Sequence, residues 1–201
     1  MQTALHTKHV RAWESFDYKC VYYKDFDFKL FENIDCKFKT TKGRKSYNDI
    51  IIRADTETSK PHDYPQCLHN YVVAWSIAFR AYDRNLVTLY GHNPLEFVDM
   101  LKSLRENLPG FDIYIHFHNL AYDWTFLRKF LINEFGKPVS QLNTKSMYPL
   151  YIQFSNGIRL KDTLALAQRS LDKWSKDMGV TSKATGLWMY DKVRNQCDPL
   201  R

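Results

Sequence analysis

The sequence predicts an α/β fold, one mixed sheet flanked by helices, with a β-rich extension at the N-terminus. Two observations carry this. Three strand-like stretches lie between residues 49 and 90, an apolar run, a period-two alternation and a shorter third stretch, and apolar residues then recur at helical spacing from Pro94 onward. A further alternating run at 112–118 is again followed by apolar residues at helical spacing. Three strands, a helix, a strand and a helix describe an antiparallel meander, then a strand that joins in parallel after a crossover helix. With 201 residues and 44% hydrophobic content, the chain is long and apolar enough for a sizeable core.

Taken in order, residues 1–47 carry the alternations Asp25-Phe26-Asp27-Phe28 and Cys36-Lys37-Phe38-Lys39. These predict a short β extension packed on a main domain at 48–201. Lys42-Gly43-Arg44-Lys45 is the densest basic cluster and reads as a charged hairpin tip, with phosphate contact as the other use. A first strand is expected at 49–55, and a loop at 59–70 that holds Pro61 and Pro65. Tyr71, Val73, Trp75, Ile77 and Phe79 mark a second strand, and Leu86–Tyr90 a third. Asn93 caps and Pro94 starts a helix that places Leu95, Val98, Leu101 and Leu104 on one side. The strand at 112–118 precedes a helix near 123–135, which carries Phe126, Leu127, Phe130 and Leu131 and is closed by Gly136. Ser155-Asn156-Gly157 turns a hairpin between strands near 148–154 and 158–163, and a helix near 170–178 ends at Gly179. Trp75, Phe79 and Trp124 are expected to pack in or near the core. This is the ribonuclease-H-like order, and it brings the ends of the first and fourth strands side by side.

Chemistry concentrates at those two ends. The first strand runs Ile50-Ile51-Ile52-Arg53-Ala54-Asp55-Thr56-Glu57-Thr58. Residues two apart on a strand share a face, so Asp55 and Glu57 crowd two negative charges together. A divalent cation held by oxygen ligands relieves that repulsion. The fourth strand leads into Phe117-His118-Asn119-Leu120-Ala121-Tyr122-Asp123. Asp123 falls at or near a helix N-terminus, where an acid serves as a cap or dipole partner. Its other use is as a third ligand to the same metal site.

The two strings resemble the first two motifs of DEDD-type 3′→5′ exonucleases. The Phe-His-Asn-Leu-x-aromatic-Asp form is similar to the proofreading domain of protein-primed family B DNA polymerases of phages and mobile elements. The resemblance spans residues 48–195. Arg159-Leu160-Lys161-Asp162-Thr163-Leu164 resembles that family's strand ending in Asp-Ser-Leu, and residues 170–180 resemble its short following helix. Lys183 and Tyr190 resemble the lysine and tyrosine that the subgroup adds near the scissile phosphate. The third motif, Tyr-x-x-x-Asp, does not follow Tyr190; by resemblance it would fall shortly beyond Arg201. Asp191 and Asp198 have no tyrosine four residues earlier. His118 stands five residues before Asp123, the spacing of a histidine variant of that motif, but inside the second motif.

The resemblance implies hydrolysis at the 3′ end of single-stranded DNA with two Mg²⁺ or Mn²⁺ ions roughly 4 Å apart. Asp55 would bridge both ions, Glu57 would bind the water-activating one and Asp123 the other. Lys183 would neutralise phosphate charge and Tyr190 would orient water or phosphate. Thr58, Asn119 and Tyr122 match positions that hold the last nucleotides, and Thr163 and Leu164 a strand end that touches DNA. With the fourth carboxylate absent from the sequence, activity is expected to be impaired. Two other identities stay open: a catalytically degenerate exonuclease fold that binds nucleic acid or a host protein, and a piece of a longer polymerase.

Net charge is +7 and pI about 9.1, which suits a polyanionic partner and equally a solubilising surface. No signal peptide and no membrane-crossing apolar run are read, and Cys20, Cys36, Cys67 and Cys197 show no Cys-x-x-Cys spacing. A cytoplasmic protein with reduced thiols is the expectation, in a bacterial host if phage- or plasmid-encoded. His62, Cys67 and His69 cluster after the first motif, but no fourth ligand is in view, so no zinc site is assigned.

Overall fold

The computed structural model describes residues 20–33, 38–47, 50–59, 70–81 and 84–179. Ten strands occur among them: β1 (Val21–Tyr22), β2 (Phe38–Thr41), β3 (Arg44–Tyr47), β4 (Ile50–Ser59), β5 (Tyr71–Ala81), β6 (Arg84–Gly91), β7 (Ile113–Phe117), β8 (Ser140–Lys145), β9 (Tyr148–Gln153) and β10 (Ile158–Asp162). The helices are α1 (Pro94–Asn107), α2 (Leu120–Phe135), α3 (Leu164–Ala167) and α4 (Leu171–Asp177). Eight strands form one sheet in the order β1-β6-β5-β4-β7-β10-β9-β8, and β2 and β3 form a separate hairpin. β4, β5 and β6 are an antiparallel meander; β7 joins β4 in parallel after α1, and β10 joins β7 in parallel. The fold is ribonuclease-H-like, a large mixed sheet flanked by helices.

Each element has a local cause. β4 alternates buried Ile50, Ile52 and Ala54 with exposed Ile51, Arg53 and Asp55, so one face meets the core. Asn93 caps α1 by accepting from Glu96 N at 3.0 Å, and Pro94 occupies the first turn, where its missing N–H is harmless. Phe97, Met100, Leu101 and Leu104 of α1 are fully buried, and Phe97 packs edge-on to Trp75 at 5.2 Å. α2 buries Leu127 and Leu131, with Trp124 near Phe154 at 6.3 Å. Trp75, Phe79 and Trp124 are core residues, as expected.

Several expectations need correction. β4 runs four residues past Asp55, because β5 continues to pair with it as far as Ser59, through a bulge between Glu57 and Thr58. Leu95 is 66% exposed, not on the buried stripe. It lies two residues before Phe97, about 160° around the helix at 100° per residue. α2 starts at Leu120 rather than at Asp123. β8 has no signature in the sequence: it is a sheet-edge strand whose six residues are all exposed, so no apolar alternation marks it. The Asp25-Phe26-Asp27-Phe28 alternation does not form a strand. Two 3-10 turns, Tyr23–Asp25 and Phe28–Asn33, occupy that stretch. A 3-10 turn aligns residues three apart, which puts Phe28 and Phe31 on the same side, against Phe26 and Phe79. Among the described residues no helix is long and apolar enough to cross a membrane.

The β2–β3 hairpin turns at Lys42-Gly43, both at positive φ (50° and 76°), the mirror-image turn that suits strand twist. Its Arg44 does structural work. Arg44 Nε donates to Asp112 Oδ1 at 2.5 Å, and Arg159 Nη2 donates to Asp112 Oδ2 at 2.6 Å. Gly157 packs so closely here that a Cβ would stand 2.8 Å from the Phe111 carbonyl and inside the Arg44 guanidinium. Burial alone would raise the Asp112 carboxyl, but the hydrogen bonds and charges of Arg159 and Arg44 outweigh it and hold the group below 3.8. A depressed folded-state value adds stability above the unfolded value and loses it as pH falls through the folded one. Asp112→Ala should therefore cost about 2 kcal/mol at pH 7, since it removes the carboxylate that two guanidiniums share and leaves them only neutral acceptors, and the difference should shrink below about pH 4. Urea melts at pH 7 and pH 3 measure it; an equal loss at both pH values would mean the charges do not matter.

Candidate active site

In the parallel β4–β7 pair, Ile52 stands opposite Ile115 and Arg53 opposite His116. The C-terminal ends of both strands therefore emerge together, and the acidic end of β4 meets the turn that follows β7. A cleft of about 370 Å³ lies between them. β4 contributes Asp55, Thr56, Glu57 and Thr58; the turn and first helical turn of α2 contribute His118, Asn119, Tyr122 and Asp123.

Asp123 sits at the cleft floor, 2% exposed. Its Oδ1 accepts from Thr56 Oγ1 at 2.7 Å and Thr56 N at 3.1 Å. So the carboxylate faces β4, and it also accepts from its own backbone N–H in the first turn of α2. Burial pushes this carboxyl from 3.8 up to about 7; the Thr56 hydrogen bonds oppose the rise and the Asp55 charge adds to it. A buried acid shifted this way, in a cleft with a like charge beside it, is a common mark of a functional group. Thr56 was not singled out from sequence, although it lies between the two acids on the alternate face of β4.

Asn119 precedes α2 at φ 76°, ψ 57°, a left-handed conformation that asparagine tolerates better than most residues. Tyr122 N donates to Asn119 O at 2.9 Å and closes the turn. Tyr122 is 42% exposed at the cleft mouth, with its ring edge-on to Phe126 at 5.1 Å and its hydroxyl hydrogen-bonded to Thr58 Oγ1. It is not a core aromatic.

Thr163 does not reach the acid cleft. Its hydroxyl donates to Phe117 O at 3.1 Å and contacts His118 Nδ1 at 3.2 Å. It lines a second cavity of about 300 Å³, which also touches Asp55 and His118 and is roofed by Leu171 and Trp174. His118 stacks on Trp174 at 6.1 Å. Leu164 is the first residue of α3 and lines neither cavity. Lys183, Tyr190, Asp191, Asp198, His62, Cys67 and His69 lie outside the described residues.

Among the described residues, no group of three or more His, Cys, Asp or Glu side chains is gathered closely enough to hold a metal ion. The donor chemistry nonetheless suits a hard divalent cation. Three carboxylates line the acid cleft, and no lysine or arginine among the described residues does.

No family model matches the sequence, and no curated protein is similar to it. Among solved structures the chain is similar to a phi29 DNA polymerase complexed with primer-template DNA and incoming nucleotide substrates. The TM-score is 0.51 and the identity 14%, over 70% of this chain and 25% of that one. The likeness is one of fold, and the chain spans about a quarter of that polymerase's length.

Proposed function

We propose that the chain is a metal-dependent 3′→5′ exonuclease domain of the polymerase-proofreading type, acting on the 3′ end of single-stranded DNA. The observation that carries this reading is the convergence of Asp55, Glu57 and Asp123 with Thr58, Asn119 and Tyr122 on one cleft. Asp55, Glu57 and Asp123 would hold Mg²⁺ or Mn²⁺, which when bound activates water and neutralises phosphate charge. The Thr58 hydroxyl and the Asn119 amide would orient sugar and phosphate, and the Tyr122 ring would stack on a base. Lys183 would neutralise phosphate charge and Tyr190 would orient water or phosphate, as the resemblance implies. Fold likeness to a DNA polymerase supports this reading, as does the +7 net charge.

The test is degradation of a 5′-labelled oligonucleotide with Mn²⁺, where a ladder shortening from the 3′ end is expected. Binding is measured beside it by fluorescence anisotropy. Affinity for single strands should fall with salt and exceed that for duplex. Tyr122→Ala should weaken it by ~1–3 kcal/mol, since stacking on one base is worth that much. Salt-independent binding, or equal affinity for duplex, would count against a 3′-end cleft.

A second reading has its own support, the absence of a gathered metal-binding group among the described residues. In that reading the fold binds nucleic acid or a host protein without cleaving. Salt-sensitive oligonucleotide binding that Mn²⁺ and Asp55→Ala both leave unchanged would favour it.

A further inference from the structure

In the parallel β7–β10 pair, Asp162 is in register with Phe117, the last residue of β7. The end of β10 therefore lies beside the turn that carries Asn119. Thr163 N and Oγ1 donate to Phe117 O at 2.9 and 3.1 Å. Asp162 Oδ2 accepts from Leu120 N at 2.6 Å, and its Oδ1 accepts from Ala165 N at 2.8 Å. Leu120 N is the first of the N–H groups that a helix leaves without an internal partner. Asn119, in the capping position, provides no side-chain acceptor and stands in the left-handed region. The acceptor at the start of α2 thus comes from a different strand, 42 residues away.

We infer that Asp162 is a positioning residue of the acid cleft. Its carboxylate pins the Leu120 N–H and so fixes the left-handed turn at Asn119. That turn sets the rotational start of α2, and with it the aim of Asn119, Tyr122 and Asp123. A charge-assisted bond to a helix N-terminus is stronger and more directional than a neutral one. Thr163 backs it by holding the Phe117 carbonyl on the other side of the turn. The functional consequence rests on the proposed nucleic-acid reading; the structural half does not.

The experiment compares the 201-residue chain with Asp162→Asn and Ser170→Ala. Ser170→Ala removes the acceptor for Lys173 N at the start of α4, a capping loss outside the turn. Amide proton shifts are read by NMR, and affinity for an oligo-dT with a free 3′ end by anisotropy. In Asp162→Asn the Leu120 amide should move upfield, with further shifts across residues 119–123, and oligo-dT affinity should fall about tenfold. Ser170→Ala should leave both unchanged. Shifts confined to Leu120 and Ala165, or an equal loss of affinity in Ser170→Ala, would overturn the assignment. If the unaltered chain binds no oligo-dT, the nucleic-acid reading fails, and the shift pattern across 119–123 still decides the positioning role. Should Asp162→Asn not fold, Asp162→Glu, which keeps the charge but not the reach, replaces it in the same measurements. It is then expected to show the same shifts across 119–123.

Discussion

Asp123→Asn is expected to stabilise the protein above pH 7 and to have no such effect near pH 4. The carboxyl titrates at about 7 in the folded chain against 3.8 for an ordinary aspartate. An acid whose folded value is raised binds its proton more tightly when folded. Stability is therefore unaffected below about 3.8, falls as pH rises from there to about 7, and stays lowered above. The shift corresponds to about 4 kcal/mol at 1.36 kcal/mol per unit. Asparagine removes the charge and keeps an oxygen for the two Thr56 donors. Its NH₂ group needs an acceptor of its own, which costs about 1–3 kcal/mol if none is reached. A net gain of about 2 kcal/mol at pH 8 is expected, or about 4–8 °C in Tm for a domain of this size. Thermal melts at pH 4, 6 and 8 in EDTA measure it, and a pH-independent difference would sink the idea. Adding Mn²⁺ at pH 8 should raise Tm in the unaltered chain and not in Asp123→Asn, because a ligand for the folded state stabilises it. A buried acid at such a cost to stability supports the proposed role of the cleft.

Asp55→Ala should remove whatever cleavage the 201-residue chain shows. That cleavage should itself be slow. Within the 201 residues no Tyr-x-x-x-Asp string follows Tyr190, so on the proposed reading Asp55 and Glu57 are the carboxylates that would hold a water-activating cation in this polypeptide. Two carboxylates would hold such a cation less rigidly than three. By analogy with losing one electrostatic stabiliser, the deficit is ~10²–10³ in rate. Binding gives an independent sign. In EDTA, Asp55→Ala deletes a negative charge from the cleft and should tighten oligonucleotide binding. In Mn²⁺ it deletes a proposed ligand and should weaken it. Cleavage that survives Asp55→Ala would remove the catalytic reading. Fast cleavage that Asp55→Ala abolishes would instead mean another acid completes the site, and Asp191 and Asp198 would be mutated next.

What the sequence by itself determined is local. The β5 alternation, the Asn93-Pro94 helix start, the Lys42-Gly43 and Asn156-Gly157 turns and the stop at Gly136 were all legible. Each depends on side-chain period or on a φ constraint at one or two positions. That the acidic end of β4 lies beside the end of β7 was legible as well, because strand order and connection handedness leave few ways to assemble them. Only the tertiary structure decided the rest. β8 carries no pattern because an edge strand exposed on all six residues has no face to bury. Leu95 reads as core until packing fixes which side of α1 meets the sheet. Thr56 grips Asp123 across 67 positions, and Asp162 grips Leu120 across 42. Neither partner carries a mark of the other, since a hydrogen bond between distant residues follows from where two backbones are brought, not from spacing along the chain. The proton affinity of Asp123 is set in the same way: burial dominates it, and burial belongs to the assembled fold rather than to the residue.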